Sequence, residues 1–289
     1  MDFNEAIDIA ESAWELMGYS KRTRRRYRLQ IKVMARKVGK PLKSITPSDL
    51  KRFLLANKRE KSLTNATVYS QVNALRAFFK ALIENGVIED NPASHLPLPK
   101  RSKKLPTYLT TEELQALLEV SEAKSRNHCL LEFIYSTGAR ISEALDMKTV
   151  ALDLNKNTAL VKSGKGDKDR LIILSKHASR DIKEYLRKRT TLSDYLFPSR
   201  SGGRLSTRYV QKMIKDYAHK AKIKKRVTPH VLRHTFATHM LENNVDIRAI
   251  QELLGHNSLA TTQIYTHVTT ERLRRLIDIH PRETLVDSA

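Results

Sequence analysis

Four of the nine prolines in this 289-residue chain lie between residues 91 and 106, a stretch that contains no glycine and several basic residues. Such a composition is typical of a semi-rigid linker between domains and not of a packed core. On each side of it the chain is long enough for a domain of ordinary size. We predict a helical domain over 1–97, the linker over 98–107, a second domain over 108–280 and a C-terminal tail over 281–289.

The first domain has the apolar spacing of amphipathic helices. Apolar residues recur at steps of three and four from Phe3 to Met17 and again from Tyr27 to Val38, as they do on one face of a helix. Thr46-Pro47 supplies a capping hydroxyl and a first-turn proline for a third helix, and a fourth helix spans about 65–85. Four helices joined by short polar turns predict a small helical bundle.

Beyond the linker the pattern is mainly helical, with one hairpin. Two β-type runs, 158–163 and 170–174, flank a glycine-containing tip, which predicts an antiparallel pair. A capping box of Thr110 and Glu113 opens the first helix of this domain. The helical patterns cover about 111–118, 126–136, 177–189, 206–222, 229–243, 246–254, 259–267 and 270–279. The expected fold is therefore mainly α, with a small antiparallel β-sheet in the second domain (α+β).

The charge of the chain predicts a polyanionic partner. The formal net charge is +22, of which residues 1–104 carry +12, so both domains share the excess. Nucleic acid is the leading candidate, because the basic residues are not gathered on one amphipathic terminal helix as in a membrane-surface protein. No apolar run approaches the ~20 residues that a membrane span needs, and the acidic N-terminus does not resemble a secretion signal. We expect a cytoplasmic, nucleoid-associated protein without a membrane anchor; the single cysteine, Cys129, excludes an internal disulfide.

Ten basic residues and no acidic residue lie between Lys21 and Lys40. A solvated helix surface is the ordinary explanation of such a run, but the missing counter-charges favour contact with a DNA backbone. If both domains bind one duplex, the basic linker would cross it and close the protein as a clamp. The predicted DNA-binding residues are Arg24, Arg25, Arg28, Lys32, Arg36, Lys100, Arg101, Lys103 and Lys104.

Thr228 and Pro229 predict a helix start that places His230 in the first turn and Arg233 on the same face. Free backbone N–H groups, the helix dipole, an imidazole and a guanidinium would together form an anion site. The alternative is a buried His together with an Arg in a structural ion pair. A zinc site is disfavoured, because His239 falls on another helix face and no cysteine can assist; we predict neither metal nor cofactor.

Two further motifs carry basic residues next to glycine. Gly138 separates two helices, and Glu143 follows Arg140 at a spacing that lets the carboxylate hold the guanidinium, or form only a surface ion pair. Lys165 lies between two glycines at the hairpin tip. A lysine partly desolvated by DNA there could have its pKa lowered enough to donate a proton near neutrality.

Gly255 ends a predicted helix, so that His256 lies just beyond a rigid end, and Tyr265 follows nine residues later. A single tyrosine is usually a packing residue. Beside a cationic phosphate site, however, a phenol can cut a DNA strand and retain its end covalently, without a metal or a nucleotide.

Taken together, these motifs and their order resemble those of the tyrosine recombinases, the integrase family. The quoted motifs are Thr-Gly-Ala-Arg-Ile-Ser-Glu, Gly-Lys-Gly-Asp-Lys-Asp-Arg, His-Val-Leu-Arg-His-Thr-Phe-Ala-Thr-His, Leu-Leu-Gly-His and Tyr-Thr-His. The catalytic residues they imply are Arg140, Lys165, His230, Arg233, His256 and Tyr265. The compact chain is most similar to the Xer branch, whose members resolve chromosome dimers at dif-type sites.

The resemblance implies a mechanism in which Tyr265 attacks the scissile phosphate and forms a 3′-phosphotyrosyl bond. Arg140 and Arg233 would bind the non-bridging oxygens, and Lys165 would protonate the leaving 5′-oxygen. His230 would assist proton transfer or bind the phosphate.

In the same resemblance His256 would contact a phosphate oxygen and Glu143 would orient the site. The first domain would be a SAM-like core-binding domain of four helices. The partners implied are double-stranded DNA with a dif-like site and three further copies of the chain, forming a tetramer on two sites through a Holliday junction, with a dimer or monomer in the absence of DNA.

Three alternatives remain open at this point. A mobile-element integrase or excisionase would carry the same motifs. A type IB topoisomerase-like enzyme would use similar nicking chemistry as a monomer, and a DNA-binding regulator would retain only a vestigial site.

Overall fold

A computed structural model of the chain describes residues 1–100, 107–122, 125–161 and 169–255. The chain divides into two compact units, Met1–Lys104 and Leu105–Ala289. Within the described ranges, no helix is both long enough and apolar enough to cross a bilayer. The helices predicted over 259–267 and 270–279 lie outside the described residues.

The first unit is a bundle of four helices, as predicted. They are α1 (Phe3–Leu16), α2 (Lys21–Val38), α3 (Pro47–Glu60) and α4 (Asn65–Glu84). Each of the last three begins at a hydroxyl cap, because the side chains of Ser20, Thr46 and Thr64 accept hydrogen bonds from amides of the first turn.

Helix α4 packs against the other three helices and supplies much of the apolar core. Phe78, Phe79 and Leu82 are fully buried in it, and the buried indole of Trp14 donates a hydrogen bond to the carbonyl of Ala77 at 3.3 Å. Fully burying an apolar side chain of this size contributes roughly 1.5–3 kcal/mol. The apolar spacing in the sequence therefore becomes one contiguous core.

The second unit is mainly helical around a small antiparallel sheet, which confirms the predicted fold class. The strands β1 (Leu152–Asp153), β2 (Thr158–Val161) and β3 (Arg170–Ile173) lie in the order β1-β2-β3. The hairpin of β2 and β3 was predicted, whereas β1 was not. The helices are α5 (Thr111–Glu119), α6 (Ser125–Thr137), α7 (Ile141–Asp146), α8 (Lys176–Lys188), α9 (Thr207–Lys220), α10 (Pro229–Glu242) and α11 (Ile247–Leu254).

Helix α6 is the central element of this unit. It contacts α5, α7, α8 and α10, and its side chains from Cys129 to Thr137 are all buried. A helix covered on all sides has a fixed position, so the turn at its C-terminal end is also fixed. The candidate site is built on that turn.

Candidate active site

Gly138 lets the end of α6 pack directly on two other helices. Its φ of +60° is left-handed, and a Cβ atom at this position would lie 2.6 Å from Leu254 Cδ2 and 2.7 Å from Phe236 Cδ1. Both the backbone angle and the lack of space therefore require glycine. The turn ends at Arg140, the N-cap residue of α7, which places this arginine beside α10 and α11.

Glu143 links two arginines. Its carboxylate accepts hydrogen bonds from the Arg140 amide at 2.7 Å and from Arg140 Nη1 at 2.8 Å. It also accepts a two-bond fork from Arg170, at 2.9 and 2.7 Å. Burial alone would raise the pKa of Glu143, but the bonds from Arg170 and Arg140 outweigh it and lower the pKa to about 2. Glu143 therefore stays ionised at neutral pH.

Arg233 is a buried cation held by neutral acceptors. Its side chain donates to the carbonyl of Gly138 at 2.6 Å and to the carbonyl of Leu254 at 2.7 Å. Burial, and then repulsion from the charge of Arg140, lower the pKa of Arg233 to about 10. The guanidinium is still protonated at neutral pH, and a desolvated cation of this kind is stabilised by an approaching anion.

The C-terminal end of α11 holds both guanidinium groups. Arg140 Nη2 donates to the carbonyl of Gly255 at 2.8 Å, next to the Leu254 carbonyl that accepts from Arg233. Unpaired carbonyls and the negative end of the helix dipole favour cations at this place. Gly255 caps the helix with a φ of +62°, and a Cβ atom there would lie 2.8 Å from Arg170 Nε.

His230 lies exposed in the first turn of α10, one turn before the buried Arg233. Thr228 caps the helix by accepting from the amide of Val231 at 3.3 Å, and Pro229 occupies the first turn. The predicted helix start is therefore present, and it places the positive end of the helix dipole beside His230.

The structure thus brings Arg140, Glu143 and Arg233 together at the meeting point of α6, α7, α10 and α11. Lys165, His256 and Tyr265 lie outside the described residues. Their placement at this site stays a prediction.

Sequence reasoning missed Arg170. The only signal was a basic residue at the start of a β-type run, directly after the glycine-lysine motif, and it was interpreted as part of the hairpin alone. In the structure its fork onto Glu143 adds a third guanidinium to the site. Three arginines and one glutamate leave a local charge of +2, which suits a singly charged phosphodiester.

The surface of α2 requires one correction. The basic run has no acidic residue of its own, but α1 supplies counter-charges: Arg24 pairs with Glu15 at 2.6 Å, and Arg28 pairs with Asp8 at 2.8 Å and with Glu11. The argument from missing counter-charges is therefore wrong for Arg24 and Arg28, because helices distant in sequence are neighbours in the bundle.

Other basic residues of the predicted DNA surface stay exposed. Arg25, Lys32 and Arg36 form no ion pair with any described residue. Lys100 is exposed as well, and its carbonyl accepts a bond from Asn65 at 2.9 Å. Arg101, Lys103 and Lys104 lie outside the described residues, and contact with DNA stays a prediction for the whole set.

The histidine considered for a zinc site has a structural function. His239 is buried, its Nε2 donates to the carbonyl of Leu109 at 2.9 Å, and its Nδ1 lies 3.1 Å from the Tyr135 hydroxyl. Both ring nitrogens are therefore used in packing the start of the second unit against α6 and α10. In the part of the chain that is described, no group of three potential ligands is arranged to hold a metal.

Comparison with known proteins identifies the family of both units. Residues 107–272 match the Phage integrase family, and residues 7–89 match the phage integrase N-terminal SAM-like domain. The chain is 40% identical to tyrosine recombinase XerC of Bacillus subtilis strain 168 over 244 residues, 80% of each chain. It is also 40% identical to tyrosine recombinase XerA of Thermococcus kodakarensis over 276 residues, 94% of each chain.

One solved structure is similar to this chain over most of the length of both. This is the pre-cleavage complex of the XerH site-specific recombinase bound to its difH substrate, with 30% identity and a TM-score of 0.67. The similarity covers 87% of this chain and 78% of that one. The chain therefore belongs to the phage integrase family. Within it, the chain is a tyrosine recombinase of the Xer branch, a site-specific DNA recombinase.

Proposed function

We propose that this recombinase resolves chromosome dimers by cutting and rejoining DNA at a dif-type site through a covalent bond to Tyr265. The observation that carries the proposal is the pair of guanidinium groups, Arg140 and Arg233, fixed on the same helix end. Two preorganised cations at one point suit a phosphate whose charge grows during attack. The Xer relatives support the dimer-resolution function.

Each proposed step conserves the energy of the phosphodiester. The phenolic oxygen of Tyr265 attacks phosphorus, a bond from phosphorus to Tyr265 forms, and the bond to the 5′-oxygen breaks. Lys165 transfers a proton to that leaving oxygen. Rejoining is the reverse reaction with a 5′-hydroxyl as nucleophile, so no ATP is consumed.

The remaining side chains stabilise the transition state. Arg140 and Arg233 neutralise the two non-bridging oxygens, a contribution of about 3–4 kcal/mol for each such donor in comparable sites. His230 moves the proton of the nucleophile or binds the phosphate from the start of α10, and His256 binds a phosphate oxygen. Glu143 keeps Arg140 in place.

Strand exchange between two duplexes determines the assembly. One active site cuts one strand, so two double-stranded sites require four protomers and pass through a Holliday junction. The XerH structure, a site-specific recombinase bound to its difH substrate, supports a DNA site of this type. Because the substrate is chromosomal DNA, the enzyme works in the cytoplasm at the nucleoid.

A nicked suicide oligonucleotide that carries the organism's own dif-type palindrome tests the proposal. Cleavage on it releases a short fragment, prevents rejoining and leaves a protein–DNA adduct that denaturing gels resolve. The wild-type chain is expected to form the adduct, whereas Tyr265→Phe should bind the same DNA with unchanged affinity and form none. A full yield of adduct from Tyr265→Phe would contradict the assignment of the nucleophile.

A second arm separates dimer resolution from excision of a mobile element. Two directly repeated dif-type sites on one plasmid are compared with a pair of element attachment sites. Recombination of the attachment sites alone would contradict dimer resolution and identify the chain as the recombinase of a mobile element.

A further inference from the structure

Arg140, Glu143, Arg170 and Arg233 form the charge cluster of the candidate site, and no function has been assigned to Arg170 above. Only 17% of its side chain is exposed, and both of its terminal nitrogens bond the two oxygens of Glu143. Its Nε is buried without a hydrogen-bond partner among the described residues. The guanidinium is thus held in one orientation.

This orientation does not suit a direct phosphate ligand. Both of its terminal nitrogens already bond the carboxylate of Glu143, whose side chain is 10% exposed between two cations, so Arg170 cannot offer the same two-bond fork to a phosphate. On its other side the guanidinium lies against Gly255, where even one added carbon would approach within 2.8 Å of Nε. Arg140, in contrast, has a side chain that is 35% exposed.

The hydrogen bonds of Arg140 show what Arg170 contributes. Arg140 uses one N–H of its side chain on Glu143 and one on the carbonyl of Gly255. An arginine side chain has five N–H groups, so the others can face a phosphate. These N–H groups of Arg140 stay free because Arg170 forms the two-bond fork with Glu143. Without Arg170, Arg140 would itself take that two-bond arrangement.

Charge leads to the same conclusion. Arg140, Arg170 and Glu143 together carry +1, whereas Arg140 and Glu143 alone would carry zero. Without Arg170, the carboxylate would neutralise Arg140 and draw it into a two-bond pair, away from the substrate. The shared glutamate therefore orients a catalytic cation without cancelling its charge.

We propose that Arg170 is a positioning residue for strand cleavage, acting through Glu143 to hold Arg140 charged, oriented and available to the scissile phosphate. The inference rests on the proposed function, because it assigns Arg140 to that phosphate. Arg170 itself touches no reacting atom. Its effect should appear in the rate of cleavage and not in the affinity for DNA.

The test measures three quantities for each variant: the adduct-forming rate on saturating suicide substrate, the Kd for the same DNA, and the Tm. Arg170→Gln should slow adduct formation roughly 30- to 100-fold, somewhat less than the roughly 10²- to 10³-fold loss of a donor that itself touches the transition state, because Arg170 acts through Glu143. Its Kd should stay within about threefold, because phosphate contacts along the whole duplex dominate affinity. Arg170→Lys retains the charge without the fork, and should recover part of the rate.

A double-mutant cycle separates positioning from other functions. In a Glu143→Gln background the carboxylate that Arg170 bonds is absent. Adding Arg170→Gln to it should therefore lower the rate of adduct formation by less than about threefold. If the double variant is slowed by the product of the two single-variant factors, the proposal is overturned, because Arg170 would then act independently of Glu143. A Kd that rises in parallel with the loss of rate would overturn it too.

Arg204→Gln is the matched control. Arg204 is an ion-paired arginine of the same unit, on Asp146, and is not part of the charge cluster. This variant should cleave at the wild-type rate. If wild-type protein forms no adduct, the proposed function fails; if wild type and Arg170→Gln form it equally fast, only the positioning inference fails.

Discussion

Arginine serves opposite purposes in the two units of this protein. In the first unit, Arg24 and Arg28 form ion pairs with the exposed carboxylates of Glu15 and Asp8, each worth about 0–1 kcal/mol. In the second unit, Arg233 is buried, bonded to carbonyls, and depressed in pKa by burial and by a neighbouring cation. The comparison teaches that the partner decides the function of a guanidinium: carboxylates neutralise Arg24 and Arg28, whereas backbone carbonyls hold Arg233 in place and leave its charge available to an anion.

The largest expected effect would come from removing the buried cation. Arg233→Ala should lower the rate of adduct formation about 10³-fold, because a preorganised donor to the transition state contributes about 4 kcal/mol. The rate is measured by quenching suicide-substrate reactions at successive times and quantifying the adduct. Arg24→Ala, its counterpart in the bundle, should leave the chemical step at saturating DNA unchanged; equal losses in the two variants would remove the distinction between the units.

Two glycines of similar φ separate backbone strain from packing. Gly138 and Gly39 have φ values of +60° and +64°, but a Cβ atom on Gly39 would meet nothing within 4 Å. Gly39→Ala should lower the free energy of unfolding by about 1 kcal/mol through strain alone. Gly138→Ala adds the clash with Leu254 and Phe236 and should cost about 2–5 kcal/mol.

Denaturant titration of both variants gives these free energies. Gly138→Ala should also slow cleavage, because the same turn positions Arg140 and its carbonyl holds Arg233. Equal destabilisation by the two substitutions would show that the α6 turn is not tightly packed against α10 and α11.

Acid should affect the second unit through Glu143. Since its pKa falls from 4.5 to about 2 on folding, its ionised form stabilises the fold fully above pH 4.5. This contribution, on the order of 3 kcal/mol, is lost as the pH falls towards 2. Urea unfolding at several pH values should show a steeper loss for wild type than for Glu143→Gln over that window, and parallel curves would contradict the assignment.

The smallest effects concern the basic surface of α2. Arg25→Ala should weaken DNA binding uniformly and lower the slope of log K against log salt by about 1, because an exposed cation without an ion pair contacts one phosphate. Arg28→Ala should change that slope less, since Asp8 and Glu11 already neutralise this residue, and should lower stability by at most about 1 kcal/mol. Binding titrations from low to high salt measure both; an equal slope change would mean that DNA displaces the acidic partners of Arg28.

Local chemistry determined much of the architecture. The hydroxyl caps at Thr46, Thr110 and Thr228 and the apolar spacing of α4 are properties of a few consecutive residues, so the sequence predicted the starts of these helices within one or two residues. The hairpin was predicted for the same reason. The two-residue strand β1 was missed, because two residues are too short to show a period and depend on pairing with β2.

The order and chemical type of the site residues could also be predicted from the sequence, since motifs next to glycines keep side chains near turns and helix ends. Only the tertiary structure decided which atoms meet. Arg170 reaches Glu143 across 27 residues and Arg140 reaches the Gly255 carbonyl across 115, while α1 supplies the counter-charges of α2. Contacts of this kind leave no local pattern, because the packing of each unit around its own core brings distant segments into hydrogen-bond range.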